Sequence, residues 1–525
     1  MARQFRISGP CDPKKHYMID AERRLGEDVM YYIDNELYFL IHAARQSGKT
    51  TLLFELQRRL NDSGRYYALY CSLEKAETAD VPERGIPVIM DAIRLKLKYS
   101  GIPGKEKFGA GFEGSSTENV LQDALTDFCH SLDKPLVVLF DEVDCLSGKT
   151  LISFLRQLRD GYVSRTSGTP FIHSLAIVGM RNIRDYRDEY RDPSKSLGSA
   201  SPFNVIEAYM TLKNFSHEEI VELYGQHTSE TGQEFLPEAV GLVYEQTQGQ
   251  PWLVNAIAKT AVKSTCDFGG NSTGEPITAD MVTEAINRLI LERGTHFDSL
   301  MARLKDERVK RVLQPVITGE VGGETRFSDD FSYVKDMGLI RNNRGSIEIS
   351  NPIYTEVITR ALNWDVQESL VQSGAPYEVP KYYKNNTIDM DALLKDFQEF
   401  WRENGAMWEE KFDYREAAPH LILMAFLQRV INGGGTINRE FAAETGRTDI
   451  CVGYKGKKYP VEIKILRHNK TRADGIRQLS GYMNSLGAKK GWLVIFDRDK
   501  DKSWEDKLYF EHEEQPGSEI SVVGC

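Results

Sequence analysis

The chain has 525 residues, too many for one hydrophobic core, so that roughly two to four domains are expected. Its hydrophobic fraction of 41% and charged fraction of 27% are typical of a globular protein, and no run approaches the roughly 18 apolar residues of a membrane span. A net charge of −11 excludes a uniformly basic surface, so that DNA would have to be bound by local basic stretches such as 455–458 and 467–472.

The N-terminal segment and the cysteines favour a cytoplasmic protein without a membrane partner. The first residues contain no apolar stretch of the kind found in a signal peptide. The cysteines are widely separated and form no CxxC pair, which favours reduced thiols over a disulfide framework or a zinc ribbon. They are Cys11, Cys71, Cys129, Cys145, Cys266, Cys451 and Cys525.

The first half of the chain alternates between apolar strand patterns and helical patterns. Strands are predicted over 38–42, 66–72, 136–140 and 171–178, and a helix over 50–60. Continuous apolar strands that alternate with helices are typical of a parallel sheet buried on both faces. The sequence therefore predicts an α/β fold with a parallel sheet.

A helical region follows from 216 to 263, and a capping box opens it, because Glu219 lies three residues after Ser216. We expect this region to form a helical lid on the α/β core and to complete a first domain over 1–290. The lid is interrupted after 263 by a stretch rich in Gly, Ser and Thr.

Residues 291–365 have the order of elements of a winged helix. Helical patterns over 309–318 and 328–339 precede two short strands around a turn at 342–345, and a closing helix is predicted over 354–362. Such domains bind DNA or serve as rigid lids and protein contacts, and the sequence favours neither role.

A third unit is predicted over 389–525, after a stretch of linker composition at 366–388. It contains long helices, three or four strands and one helix between Gly475 and Leu486.

The stretch HAARQSGKTT from His42 to Thr51 lies between a predicted strand and a predicted helix, where a phosphate-binding loop belongs. Lys49 would reach the β- and γ-phosphates, and the Thr50 hydroxyl would bind Mg²⁺. Ala43 stands where such loops usually have glycine. The predicted nucleotide-binding residues of the loop are Arg45, Gln46, Ser47, Gly48, Lys49, Thr50 and Thr51.

Two acidic residues, Asp141 and Glu142, follow the predicted strand 136–140 and are therefore expected at the edge of the sheet beside the loop. Asp141 would hold Mg²⁺ through water, and Glu142 would polarise the attacking water. A solvated strand end is the alternative, and only the upstream loop disfavours it. After the fourth strand, Asn182 or Arg181 is a candidate sensor of the γ-phosphate, with a loop stabilised by surface arginines as an equal alternative.

These motifs resemble those of the AAA-like STAND ATPases. The resemblance is carried by HAARQSGKTT, by LFDEVD around Asp141 and by Gly249-Gln-Pro251 in TQGQPWLVNAIA, and it covers about residues 1–365. It implies binding of ATP with Mg²⁺, a turn at Pro251 that approaches the nucleotide, and a winged helix after the lid. It also implies a homo-oligomer, because AAA-like sites commonly use an arginine from a neighbouring subunit.

A second set of charged residues lies near the C-terminus. Asp449 stands near the start of one predicted strand, and Glu462 and Lys464 alternate on the next, so that both point to one face. Two converging carboxylates beside a lysine would form an oxygen-ligand site for Mg²⁺ or Mn²⁺, which suits phosphodiester hydrolysis. For these three residues alone, the polar face of a solvated hairpin is the better interpretation.

Two further pairs favour the catalytic interpretation. Gln478 and Tyr482 are spaced to lie on one face of a later helix, and Glu416 and His420 have the same spacing at the start of an earlier one. The order E-x₃-H, D, ExK and QxxxY resembles the RecB-type branch of the PD-(D/E)XK nucleases, an α/β restriction-endonuclease-like fold, over about residues 390–500.

This second resemblance implies a metal-dependent nuclease that acts on DNA, with RNA not excluded. Its metal ligands would be His420, Asp449 and Glu462. Its other catalytic residues would be Lys464, which positions the nucleophile or offsets charge, and Gln478 and Tyr482, which orient the substrate.

The sequence as a whole predicts an ATPase that gates a nuclease. By analogy with uncharacterised bacterial ATPase–nuclease fusions, the implied role is phage or mobile-element defence, or DNA processing. One alternative is an ATP-driven switch or scaffold whose nuclease-like domain binds nucleic acid without cutting it. A DNA-translocating motor is a further alternative, although no set of helicase motifs accompanies the loop.

Overall fold

The described part of the chain forms two compact units, 1–296 with 327–353, and 297–326 with 354–525. The computed structural model describes residues 3–111, 116–179, 204–265, 274–292, 295–317, 328–343, 345–358, 361, 382–384, 387–411, 418–431, 436–443, 446–466, 470–499, 501–515 and 517–525. The stretch predicted as a winged helix is thus divided between the two units.

The first unit contains a five-stranded parallel sheet with the order β2-β3-β4-β1-β5. Its strands are β1 (Tyr38–His42), β2 (Tyr67–Ser72), β3 (Leu136–Asp141), β4 (Ser174–Gly179) and β5 (Ile206–Thr211). The predicted parallel sheet is confirmed, and four of its strands lie where the apolar runs predicted them. The fifth, β5, was missed because it lies at an edge and alternates buried and exposed residues instead of forming a continuous apolar run.

Helices cover both faces of this sheet. They are α1 (Val29–Asp34), α2 (Lys49–Asp62), α3 (Pro82–Lys98), α4 (Val120–His130) and α5 (Gly148–Ser164). Leu52, Leu53 and Leu56 of α2 pack on one face, and α3, α4 and α5 bury a larger apolar cluster on the other. The central strands are therefore buried on both sides, which explains their apolar sequences.

A helical segment follows the sheet. It consists of α6 (His217–Thr231), α7 (Pro237–Thr247), α8 (Pro251–Ser264) and α9 (Ala279–Glu292). The predicted capping box is confirmed: the Glu219 amide donates to Ser216 Oγ at 3.2 Å, and the Ser216 amide donates to the Glu219 carboxylate at 2.8 Å.

The next elements have the order expected of a winged helix. They are α10 (Thr295–Arg303), α11 (Glu307–Ile317), α12 (Asp329–Asp336), β6 (Ile340–Asn343) and β7 (Ser346–Ile349), and residues 352–358 are helical. Strands β6 and β7 form the predicted two-stranded ribbon. The winged helix as a whole stays a prediction.

The second unit contains a six-stranded mixed sheet with the order β10-β11-β12-β13-β15-β14. Its strands are β10 (Thr436–Ala443), β11 (Gly446–Tyr454), β12 (Lys457–Ile465), β13 (Lys490–Phe496), β14 (Phe510–Gln515) and β15 (Ser518–Gly524), and a small ribbon is formed by β8 (Tyr383–Lys384) and β9 (Thr387–Ile388). The first three strands form an antiparallel meander, and β13 is parallel to β12.

Helices pack on both faces of the mixed sheet. They are α13 (Met390–Lys411), α14 (Ala418–Ile431), α15 (Thr471–Leu486) and the short α16 (Trp504–Lys507). On one face Gly475 of α15 lies so close to Leu493 that a Cβ would come within 2.7 Å of it, and on the other Trp401 of α13 meets Phe496 at 4.9 Å between ring centres. Throughout the described residues, every helix is too short or too polar to cross a membrane.

Gly249, at the turn before α8, tests the close packing of the helical segment. Its φ is +72°, its carbonyl accepts a hydrogen bond from the Phe215 amide at 2.8 Å, and an added Cβ would lie 1.8 Å from the Phe215 oxygen. We expect Gly249→Ala to destabilise the first unit by about 2 kcal/mol or more, since both the backbone conformation and the contact oppose it. Calorimetric unfolding measures the effect. The control is Gly241→Ala in α7, where the added methyl meets nothing within 4 Å and should stabilise by about 0.5–1 kcal/mol. Equal melting temperatures for the two variants would contradict this role.

Candidate functional site

The loop between β1 and α2 leaves the sheet directly beside β4. Its first hydrogen bond runs from the Ala43 amide to the Gly179 carbonyl at 3.3 Å. Gln46 and Gly48 then have φ values of +59° and +97°, which turn the chain so that α2 begins at Lys49. The free N–H groups of the first helical turn therefore face the loop, an arrangement that binds anions.

The Arg24 side chain stabilises this loop, and the sequence did not predict this contact. One guanidinium nitrogen donates to the Ser47 carbonyl at 2.6 Å, and another to the Lys213 carbonyl at 2.8 Å. Arg24 is 5% exposed, and burial lowers the pKa of its guanidinium to about 10. The contact joins positions far apart in the chain, and no local pattern marks it.

Lys49 is the first residue of α2, and its side chain contacts the loop. Its Nζ donates to the carbonyls of Ala43 and Ala44 at 2.9 and 3.1 Å. Burial lowers the pKa of this ammonium, while Asp144 and then Asp141 act in the opposite direction. Loop carbonyls thus hold a desolvated cation at the place where a phosphate would meet the helix N-terminus.

Thr50 and Asp141 are in direct contact. The Thr50 hydroxyl donates to Asp141 Oδ2 at 2.9 Å, the Tyr70 hydroxyl donates to the same oxygen at 3.1 Å, and the Glu142 amide donates to Oδ1 at 3.0 Å. Asp141 is 1% exposed, and burial raises the pKa of its carboxyl while the bond from Thr50 lowers it. A hydroxyl and a carboxylate oxygen in this arrangement are ligands that Mg²⁺ accepts. Tyr70 carries no sequence signal, because it projects from the neighbouring strand.

Glu142 follows Asp141 in a left-handed conformation with a φ of +57°. Its carboxylate accepts a hydrogen bond at 3.0 Å from Ser72 Oγ, which lies at the end of the neighbouring strand β2. Burial raises the pKa of Glu142, and the bond from Ser72 lowers it. The left-handed backbone, which is uncommon outside glycine, turns the carboxylate away from the strand direction and towards Ser72.

The remaining residues of the predicted nucleotide site have different settings. Thr51 Oγ1 accepts a hydrogen bond from the Cys11 amide at 3.0 Å, so that the N-terminal segment lies against α2. Gln46 contacts His296, whose ring stacks on Trp252 at 4.4 Å and whose pKa burial lowers to about 4. Pro251 is the buried first residue of α8. Arg45 is exposed, and Asn182 lies outside the described residues, as does Arg181.

The second unit brings Glu462 and Lys464 together on β12. Lys464 Nζ lies 2.8 Å from Glu462 Oε1, and the Glu462 side chain is 3% exposed. Ile450 of β11 pairs with Val461, so the next register step places Asp449 opposite Glu462. The side chain of Asp449 lies outside the described part of the structure.

The other predicted residues of this second site lie on the two flanking helices. Glu462 and Lys464 pair with Leu493 and Ile495 of β13, and α15 packs on those two residues, so that α15 covers this face. On α15, Tyr482 is buried and Gln478 is exposed, and His420 is 4% exposed on α14. Among the side chains that the structure describes, no three His, Cys, Asp or Glu residues are grouped to hold a metal ion. The ligand set His420, Asp449 and Glu462 stays a prediction.

Comparisons with known proteins give similarity in structure only. No protein-family profile matches the chain, and no curated protein matches its sequence. A Walker-type ATPase of Pyrococcus abyssi is 14% identical, with 67% of this chain and 99% of that chain covered and a TM-score of 0.44. Cdc6p of Pyrobaculum aerophilum is 15% identical, over 66% and 92% of the two chains, with a TM-score of 0.35. The RuvB Holliday junction branch migration motor of Thermotoga maritima is 12% identical, over 64% and 93%, with a TM-score of 0.33. At these values the neighbours carry no argument about activity.

Because Asp141 is buried, replacing its carboxyl with a neutral amide should change the stability of the fold by an amount that depends on pH. Because its pKa is higher in the folded chain, its ionisation costs stability, and this cost appears as the pH rises through the interval between the unfolded pKa of about 3.9 and the raised folded pKa. Asp141→Asn removes the cost. We expect the melting temperature of the variant, relative to the parent protein, to increase from pH 4 to pH 7. Asp127→Asn, at an exposed position of α4, serves as the control and should show no such trend. A difference for Asp141→Asn that is flat across this range would contradict the assignment.

Proposed function

We propose that the first unit binds and hydrolyses ATP at the loop between β1 and α2. The observation that carries the proposal is the 2.9 Å bond between Thr50 and Asp141, formed beside the partly buried Lys49 at a helix N-terminus. The cation can bind the phosphates of a nucleoside triphosphate, and the hydroxyl and the carboxylate can bind its metal ion.

The residues of the loop would divide the work of binding. Lys49 would leave the carbonyls of Ala43 and Ala44 and donate to phosphate oxygens, which are stronger acceptors because they are charged. Thr50 and Asp141 would hold Mg²⁺, which supplies positive charge to the phosphate oxygens. A buried carboxylate whose pKa is raised gains stability when a cation arrives, since the charge of the cation offsets the lost hydration.

Glu142 would orient the attacking water and accept its proton. In the structure its carboxylate is held by Ser72, so that it has to exchange this bond for one to water before it can act. Its raised pKa brings it closer to the range in which a carboxylate is an effective base.

Variants of Lys49 and Glu142 should separate binding from hydrolysis. We expect Lys49→Ala to abolish ATP binding, and Glu142→Gln to bind ATP with nearly unchanged affinity while kcat falls by about 10²-fold or more, because the amide cannot accept the proton. Equilibrium binding of a fluorescent ATP analogue and phosphate release are the measurements. Glu77→Gln, an exposed change of the same kind, is the control. Full turnover by Glu142→Gln would remove Glu142 from the catalytic role.

We further propose that the second unit is a metal-dependent nuclease that acts on DNA and is gated by the nucleotide state of the first. The ion pair of Glu462 with Lys464 and the register position of Asp449 opposite Glu462 support this proposal. The exposed lysines of the β11–β12 turn, Lys455, Lys457 and Lys458, add a cationic end to the same hairpin, which suits contact with a phosphate backbone.

In this proposal Asp449 and Glu462 would hold Mg²⁺ or Mn²⁺, with His420 as a further ligand, and the metal supplies Lewis acidity at the scissile phosphate. Lys464 would hold the nucleophile in position, and Gln478 and Tyr482 would orient the strand. A homo-oligomer, the division into 1–290, 291–365, 366–388 and 389–525, and a role in phage defence belong to the same proposal, the last by analogy alone.

A cleavage assay tests the second site and its link to the first. Circular, linear and single-stranded DNA, with RNA alongside, are incubated with the protein and Mg²⁺ or Mn²⁺, with and without ATP. We expect Asp449→Ala and Lys464→Ala to reduce cleavage by at least about 10²-fold, and Lys49→Ala to remove its dependence on ATP. Lys489→Ala, at an exposed position beyond α15, is the control. Binding of DNA without cleavage under every condition would favour the switch or scaffold, and cleavage indifferent to Lys49→Ala would separate the two sites.

A further inference from the structure

Helix α3 has two apolar stripes, and the second of them is buried only in part. Ile89 and Ile93 are at most 1% exposed and belong to the cluster under the sheet. Val88, Ala92 and Leu95 form a second stripe at helical spacing, and Leu95 remains 42% exposed. Ala92 belongs to the same buried cluster and Val88 packs against it, so Leu95 is the member of this stripe that offers apolar surface on which another group can pack.

The second stripe forms a wall of a cleft of about 730 Å³. The opposite wall comes from Phe108, which is 2% exposed and packs on Phe128 at 5.9 Å between ring centres, and from Lys105 and Glu106 of the adjacent 3-10 helix. This volume lies in the range of about 300–1,000 Å³ typical of small-molecule sites. The cleft is on the face of the sheet opposite α2, so it is separate from the nucleotide loop.

The charged groups around the cleft are mostly cationic. Lys75, Arg94, Lys98 and Lys105 line it, against Asp91 and Glu106. Arg94 is ion-paired with Asp91, whereas Lys105 Nζ donates to the carbonyl of Lys98 at 3.1 Å, a contact that leaves its charge in place. A positive excess over an apolar floor, in a chain whose net charge is −11, matches a ligand with an apolar body and an anionic head.

A short path of bonds joins the cleft to the candidate catalytic carboxylate. Lys75 belongs to the 3-10 helix Glu74–Ala76, which packs on α3. The Glu74 amide donates to Ser72 Oγ at 3.4 Å, and Ser72 Oγ donates to Glu142 at 3.0 Å. Lys75 therefore directly follows, along the chain, the residue whose amide donates to the hydroxyl that holds Glu142.

We propose that this α3 cleft is an effector site for a small amphipathic anion, a carboxylate or phosphate with an apolar body. The body would lie between Leu95 and Phe108, the head would meet Lys75 and Lys98, and occupation would weaken the bond from Ser72 to Glu142 and raise the rate of ATP hydrolysis. Binding at the cleft is independent of the proposed function, whereas the effect on rate rests on it.

Anilinonaphthalene sulfonate, an apolar body with an anionic head, is a suitable probe, and N-phenylnaphthylamine is its neutral counterpart. With ADP present to keep the probe from the nucleotide loop, we expect the full chain to bind the sulfonate with one site and to bind the neutral compound at least about tenfold more weakly. Lys98→Glu should weaken binding of the sulfonate by about tenfold, and Leu95→Asp by a similar factor. Lys107→Glu makes the same change of charge at an exposed position outside the cleft and should alter affinity by less than about twofold.

Hydrogen exchange then locates the probe, because residues 86–108 should exchange more slowly when it is bound. Steady-state hydrolysis should show kcat raised by about two- to threefold at saturating sulfonate, with an unchanged KM for ATP, and Lys98→Glu should remove this effect. Equal weakening by Lys98→Glu and Lys107→Glu, protection outside 86–108, or equal affinity for the neutral compound would overturn the site. A bound probe without a change in kcat would overturn the effector role. A protein that binds the probe but hydrolyses no ATP would instead refute the proposed function.

Discussion

The first unit depends on one constraint, the parallel alignment of buried strands whose carboxyl ends share an edge. Because β1, β3 and β4 run in the same direction, the loop after β1 and the acidic pair after β3 are brought to the same place although 91 residues separate Thr50 from Asp141. Helices on both faces exclude water from these strands. The alignment is stable because the apolar side chains of the strands are buried against those helices.

The groups at this edge are held in an environment that is unfavourable to their charges. Burial lowers the pKa of Lys49 and raises the pKa of Asp141, so that it favours the neutral form of each side chain. Backbone carbonyls, hydroxyls and an amide compensate in part, without supplying the opposite charges that a phosphate and a metal ion would bring. In the proposed function, binding of a phosphate and a metal ion would restore the interactions that folding removed.

In the second unit, the register of a β-hairpin determines where the charged residues lie. The turn at Lys455 and Gly456 has positive φ at both residues, as a tight two-residue hairpin requires. That turn fixes the pairing of β11 with β12, and the pairing in turn puts position 449 opposite position 462. A shift of one residue in this pairing would move Glu462 and Lys464 to the opposite face of the sheet. The turn therefore determines whether these residues share a face with position 449.

The sequence by itself determined the elements that local pattern controls: the apolar strands, the loop between β1 and α2, the capping box at Ser216 and the alternation of Glu462 with Lys464. Each follows from a spacing of a few residues, and spacing is visible in one chain. Only the tertiary structure decided which distant groups surround them. Arg24 beneath the loop, Tyr70 on Asp141 and Ser72 on Glu142 come from other strands and turns, and the edge strand β5 lacks an apolar run. These contacts are set by strand order, and strand order depends on packing across the whole sheet, which no local pattern records.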